Sequence, residues 1–361
     1  MATKSITPGR GANCFKGLLT MLLCSLAMLA GSAHAGYAAI VVNETDGQVI
    51  TAVNADEPNH PASLAKMMTL YLTFQAIERG TVRLDQELPV SSWAASKAPT
   101  KLGLRGGQTI SVEDCVLGMI TKSANDAATV MAEGLGGSEG HFVEMMNAQA
   151  QLLGMSNTRF ANASGLPDPD DTTTARDMSK LAMALYHDFP QYAHYFSTKE
   201  FTFRGQLVRG HNNLMDKYPG MDGLKTGFTN VSGFNLASTA TRDGRRLFSV
   251  VMGGHTAASR DRLMARLLDD GFDDRETPPE LVAAVAGPVG ATKGRAARSS
   301  AKAAALADAT PATRRHHRRG KADAVAARTA TCSKKKKTAT CPATAPRTAQ
   351  KVASASPSPD K

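Results

Sequence analysis

Apolar residues gather into two pairs of short runs, one pair near each end of the chain's patterned portion. Residues 37–42 and 48–53 read as strands joined around Asp46-Gly47, and residues 234–242 and 246–252 repeat the arrangement around Asp243-Gly244. Asp-Gly between apolar runs is a hairpin signal. Between the pairs, apolar positions recur at helical spacing. Residues 61–79 form a long amphipathic stretch stopped by Gly80, and Ser111, with Asp114 three residues on, opens another helix. Helical stretches follow at 125–134, 138–153 and 174–187, the last with Thr174 and Asp177 at capping positions. Residues 260–270 give a final helix closed by Gly271. Strands, helices, strands, then a helix predict an α+β fold, with an antiparallel sheet built from both ends of the domain and packed on a helical cluster.

The two ends of the chain differ from this middle. Lys4, Arg10 and Lys16 precede an apolar run of about 14 residues, and Ala33-His34-Ala35 is a small-x-small cleavage site. Residues 1–35 therefore read as an export signal with Gly36 as the mature start, the run being too short for a span of ~20 residues. The chain carries 42 Lys and Arg against 32 Asp and Glu, formally +10. Roughly 17 of those basic residues, against about 3 acids, fall within 292–361. The basicity belongs to a tail and says little about an active site. Periodicity fades after Asp274, and 281–289 is the last apolar patch able to pack. Residues 36–275 read as the folded domain and 276–361 as a disordered tail, since its composition cannot bury enough apolar surface to offset ordering entropy. The tail reads either as a contact for anionic envelope surfaces or as a solvated linker without a partner. Export argues against nucleic acid. Cys115 lies on an apolar helical face and reads as a buried thiol. Cys332 and Cys341 are left open as a pair.

Ser63-Leu64-Ala65-Lys66 is an S-x-x-K sequence. The same spacing recurs at Ser299/Lys302, Ser333/Lys336 and Ser358/Lys361, all in the tail. Only the first leads into an apolar helical pattern, which sets Ser63 at a helix start with Lys66 one turn on. An ordinary lysine is a poor base at neutral pH, so a second cation and burial are needed to lower its pKa. Lys225-Thr226-Gly227, opening a strand-like run, supplies that cation, and Ser123-Ala124-Asn125 supplies a hydroxyl and an amide. S-x-x-K, S-D-N and K-T-G in this order are the recorded signature of class A β-lactamases and penicillin-binding proteins. The chain departs from it with Ala124 at the middle position.

From about Ala38 to Phe272 the chain resembles the low-molecular-mass penicillin-binding proteins that are serine D-Ala-D-Ala carboxypeptidases. The likeness rests on residues 62–69, 122–127, 175–178, 199–203, 222–227 and 251–254. It implies a five-stranded antiparallel sheet flanked by helices, with the site between sheet and helical cluster. It implies Ser63 as the nucleophile toward peptidoglycan stem peptides ending in D-Ala-D-Ala, and toward β-lactams as covalent inhibitors. Lys66 would take the proton, Ser123 would relay it with Lys225 nearby, and Asn125 would hold the substrate amide. The N–H groups of Ser63 and Phe228 would form the oxyanion hole beside Gly227, and Thr226 with Arg260 would bind the terminal carboxylate. No metal or other cofactor is required. Phe228 stands where several relatives carry histidine. Their second β-rich domain and C-terminal amphipathic helix have no counterpart in the pattern. A β-lactamase would want a glutamate in 162–171, where only Asp168, Asp170 and Asp171 occur. Endopeptidase and transpeptidase activities stay open.

Overall fold

The computed structural model describes residues 36–286. The export signal, Cys332, Cys341 and the basic tail beyond 286 lie outside the described residues. In chain order the first elements are β1 (Ala38–Asn43), β2 (Val49–Val53), α1 (Lys66–Glu78), β3 (Glu87–Pro89), α2 (Ser92–Ser96), β4 (Thr109–Ser111) and α3 (Val112–Leu117). Next come α4 (Asn125–Gly136), α5 (Glu139–Leu152), α6 (Ala175–Asp188), β5 (Glu200–Phe203) and β6 (Gln206–Arg209). The last are β7 (Met221–Thr229), β8 (Gly233–Arg242), β9 (Arg245–Gly254), α7 (Ala257–Phe272) and α8 (Pro279–Ala286).

The main sheet has five antiparallel strands in the order β2-β1-β9-β8-β7, so the two ends of the domain meet in one sheet as the pattern predicts. Arg242 pairs with Arg245 across a two-residue turn in which Asp243 and Gly244 have φ of 52° and 78°. Both values are positive, as a twist-matched hairpin turn requires. The first hairpin has a longer loop, closed by Asn43 N–H donating to Gln48 O. Alternate residues of β1 enter different cores: Ala38, Ile40 and Val42 meet the helical cluster, whereas Ala39 and Val41 pack with the α7 side chains Leu263, Met264 and Leu267. A strand covered on both faces reads as an unbroken apolar run.

α1 is buried all round from Lys66 to Phe74 rather than on one face. Its polar positions are satisfied internally, with Thr69 Oγ1 donating to Ala163 O and Thr73 Oγ1 to Thr69 O. The helix also starts later than the pattern suggests, because residues Ala62–Ala65 form a 3-10 turn first. Ser111 and Thr174 cap α3 and α6 as expected, each side chain accepting from the N–H three residues on. α7 begins at Ala257 behind Thr256, which shares a capping box with Ser259, and it runs through Gly271 instead of ending there. A Cβ at Gly271 would lie 3.0 Å from both Leu247 and Val41 side chains. This glycine serves close packing of helix on sheet. The fold also continues past 275: Thr277 N–H donates to Thr51 Oγ1, and Val282 of α8 is buried. Cys115 is a buried free thiol. No helix of the described residues is long and apolar enough to cross a membrane.

Candidate active site

The sheet edge formed by β7 faces the 3-10 turn at Ala62–Ala65, and the chain around that turn is tightly specified. Asn235, fully buried on β8, donates through Nδ2 to His60 O at 3.0 Å and Pro61 O at 3.2 Å, while its Oδ1 accepts from Gly253 N–H. Gly165 (φ 71°) presses from the other side, where a Cβ would come within 1.7 Å of Ala62 O. Ala62 itself sits at φ 50°, a left-handed conformation that costs a non-glycine residue roughly 1–2 kcal/mol. Strain held by surrounding contacts is common beside reacting groups.

In a 3-10 turn, residues three apart eclipse. Lys66 accordingly stands over Ser63, with Nζ 3.2 Å from Oγ. The ammonium is fully buried and also donates to Asn125 Oδ1 and to Ser164 O, both at 2.6 Å. Asn125 Nδ2 donates to Ala98 O at 2.8 Å, which fixes which amide atom faces Lys66. Burial, and then the charge of Lys225, hold the Lys66 pKa well below the ordinary lysine value. Two of its three partners are oxygens that only accept. A neutral Lys66 keeps two N–H bonds for them and turns its lone pair toward the one partner able to donate, the Ser63 hydroxyl.

Ser123 follows a π-helical turn, Gly118–Lys122, and adopts a left-handed φ of 58°. This swings its hydroxyl to Lys225, whose Nζ donates to Ser123 Oγ at 2.9 Å and to Thr226 O at 2.8 Å. Burial, reinforced by the Arg260 charge, draws Lys225 down to about 7. Asp126 organises the loop above: its carboxylate accepts from the N–H groups of Leu102, Gly103 and Leu104 at 2.9–3.0 Å. Thr100 Oγ1 in turn donates to Ser123 O.

Ser63, Ser123, Asn125, Thr226, Gly227, Phe228 and Arg260 line one open cleft of about 600 Å³. Lys66 and Lys225 lie buried beneath it. A Cβ at Gly227 would lie 3.2 Å from Ser63 N, so the β7 backbone and the Ser63 backbone are neighbours. Phe228 is half exposed and packs against Phe234, with ring centroids 4.2 Å apart and planes tilted by 31°. Arg260 is nearly buried and already engaged, donating from Nε and Nη2 to Asp261 Oδ1 and from Nη1 to Asn235 O. Four further contributors lie outside every motif read in the sequence, Ser164, Gly165, Asn235 and His211, while Asp126 lies within residues 122–127 but is given no role by the resemblance. Each acts over long sequence separation. His211 lines the cleft, and burial with the charges of Lys225 and Lys122 holds its pKa below the ordinary value.

The sequence pattern of a family described as D-alanyl-D-alanine carboxypeptidase matches residues 27–256. The D-alanyl-D-alanine carboxypeptidase DacD of Escherichia coli is 37% identical over 243 residues, which are 65% of this chain and 62% of that protein. The chain thus spans about three fifths of the length of the curated relatives it matches first. Penicillin binding protein 5 from Haemophilus influenzae superposes with a TM-score of 0.64 at 34% identity, covering 67% of this chain and 72% of that one. Penicillin-Binding Protein D2 from Listeria monocytogenes, solved in an ampicillin-bound form, superposes with a TM-score of 0.58 at 33% identity, covering 67% and 98%.

Proposed function

The chain belongs to the D-alanyl-D-alanine carboxypeptidase family, and from that premise we propose that it is a serine D-Ala-D-Ala carboxypeptidase of peptidoglycan stem peptides, acylated in the same way by β-lactams. One observation carries the reading: Lys66 is buried, held by two acceptor-only oxygens, and 3.2 Å from the Ser63 hydroxyl. In the proposed reaction Ser63 Oγ attacks the carbonyl carbon of the penultimate D-alanine while its proton passes to neutral Lys66. The negative oxygen of the tetrahedral intermediate takes the N–H groups of Ser63 and Phe228, each such donor being worth about 3–4 kcal/mol. The C–N bond then breaks. The departing D-alanine amine receives a proton through Ser123, whose hydroxyl Lys225 orients, and water hydrolyses the Ser63 ester.

Asn125 and the open edge of β7 hold the substrate amides, an extended peptide pairing readily with a free strand edge. Thr226 and Arg260 face the terminal carboxylate. A β-lactam follows the same course up to ring opening, but its leaving nitrogen stays tethered and obstructs water. The ampicillin-bound form of Penicillin-Binding Protein D2 from Listeria monocytogenes supports this extension. The export signal read in residues 1–35 puts the reaction in the cell envelope, and the basic tail meets anionic surfaces there. Labelling with a fluorescent penicillin, with the natural protein beside Ser63→Ala, tests the reading. We expect complete loss of label and of D-alanine release in the variant. Label retained on a folded Ser63→Ala protein overturns the assignment.

A further inference from the structure

Beside the cleft runs a second, larger groove of about 1000 Å³, and Leu166 and Pro167 line both. The segment carrying Lys97, Pro99 and Thr100 divides them, with Lys97 on the groove and the other two on the cleft. The groove is lined by Trp93 of α2, the only tryptophan in the chain and 57% exposed.

That indole is fixed on two sides. Its Nε1 donates to Glu139 Oε2 at 2.7 Å. Lys97 Nζ donates to the same oxygen at 2.6 Å and stands 3.9 Å from the ring centroid. Lys97 and Glu139 are themselves almost wholly buried, at 8% and 11% side-chain exposure. A buried ion pair thus clamps one edge and one face of the ring and leaves the rest of it open. An exposed aromatic immobilised in advance binds with little loss of side-chain entropy. The groove around it is acidic: Glu133, tied to Ser91 by a 2.8 Å hydrogen bond, and Asp168 line it as well.

We propose that this groove binds the sugar of the glycan strand from which the stem peptide hangs, with a pyranose ring stacked on the open face of Trp93. The inference rests on the carboxypeptidase reading. A saccharide presents one flat apolar C–H face and a rim of hydroxyl donors, which suits a fixed indole bordered by carboxylate acceptors. An extended peptide has no comparable face. A five-residue stem spans at most about 17 Å when extended. With its end at Ser63, its sugar must land close by, and the adjoining groove shares Leu166 and Pro167 with the cleft.

Because Trp93 is the only tryptophan, tryptophan fluorescence of the full chain, excited beyond tyrosine absorption, reports on the groove alone. Titration with an N-acetylglucosaminyl-N-acetylmuramyl-alanine amide, which carries no D-alanine, should give a saturable change. Trp93→Ala should raise KM about tenfold for a disaccharide pentapeptide with kcat little altered. For the free pentapeptide KM should stay the same, as should the rate of penicillin labelling. Trp93→Phe should restore most of the difference. An unresponsive fluorescence together with equal KM effects on both substrates overturns the proposal. A response to the free pentapeptide and not to the disaccharide overturns it equally, by assigning the groove to peptide. Failure of the parent reading looks different, since the natural protein would then neither take penicillin nor release D-alanine whatever the groove binds.

Discussion

Lys225 Nζ donates to Ser123 Oγ at 2.9 Å, joining positions 102 residues apart at the point where sheet and helical cluster meet. The contact orients the hydroxyl proposed to protonate the leaving amine. It also brings a charge near Lys66, and that charge lowers the Lys66 pKa. Lys225→Met should reduce D-alanine release about 10²–10⁴-fold, the usual range for losing a positioned proton-transfer group. The pH dependence gives a separate readout. Lys225 titrates at about 7, so its repulsion of Lys66 acts mainly below that pH. Removing it favours protonated Lys66 there. The acid limb of penicillin acylation, followed from pH 5 to 10, should therefore move to higher pH in the variant. A limb that stays in place would mean the two lysines do not communicate.

Gly165 tests the packing that seats Ser63, the proposed nucleophile. Its φ of 71° and the 1.7 Å approach of a would-be Cβ to Ala62 O leave no room for a side chain. Gly165→Ala must displace the backbone next to Ser63. We expect a loss of about 1–3 kcal/mol, typical of forced overpacking, and a fall in penicillin labelling of at least tenfold in the protein that stays folded. Thermal unfolding and labelling of the same sample separate the two effects.

How much of this was readable beforehand follows from distance along the chain. Ser63 and Lys66 lie within one turn, and Asp243-Gly244 specifies its own hairpin, so a local pattern suffices for both. The short β3 and β4 hold three residues each, too few to display a period of two. β5 does alternate, with Phe201 and Phe203 buried, but over only four residues, and its partner β6 has no buried residue to extend the pattern. Gly271 looked like a helix stop because glycine has two uses, and only the packing against Val41 and Leu247 tells them apart. Asn235 and Ser164 are illegible on principle. Asn235 acts on backbone 174 and 175 residues away, and Ser164 contributes a carbonyl oxygen that any residue carries.

Asp171 gives a stability prediction with a defined sign. It is 2% exposed, and its Oδ1 has no hydrogen-bond partner among the described residues. Burial, aided by repulsion from Asp168, pushes the carboxyl up to about 8. An acid whose pKa is raised on folding binds more protons when folded than unfolded across that interval. Stability therefore declines as pH rises from about 4 through about 8, and the loss is complete above it. Asp171→Asn has no such ionisation. It should be the more stable protein at pH 9 by a few kcal/mol, since each unit of raised pKa costs the ionised carboxyl about 1.4 kcal/mol. The advantage should shrink toward pH 4. Melting temperatures of both proteins at pH 5, 7 and 9 decide the matter, and an advantage that grows at low pH would contradict it.

Arg260 raises a question of specificity, because the cation proposed to read the substrate's free carboxylate is already bound to Asp261 Oδ1 at 2.7 Å. Two of its five N–H groups remain beyond those given to Asp261 and Asn235 O. A carboxylate arriving in the cleft must share the guanidinium with Asp261 or lean on Thr226. Asp261→Asn removes the competing charge, so KM for a peptide ending in a free D-alanine should fall several-fold. Arg260→Ala should act oppositely, raising KM for that peptide at least tenfold. An analogue ending in a neutral amide should be nearly indifferent to both changes, since nothing in it calls for a cation. Paired measurements on acid and amide substrates keep the test clear of general damage, which lowers turnover of the two alike. Should the amide suffer as much as the acid in Arg260→Ala, the residue's role is to hold β8 through Asn235 O and not to recognise the chain end.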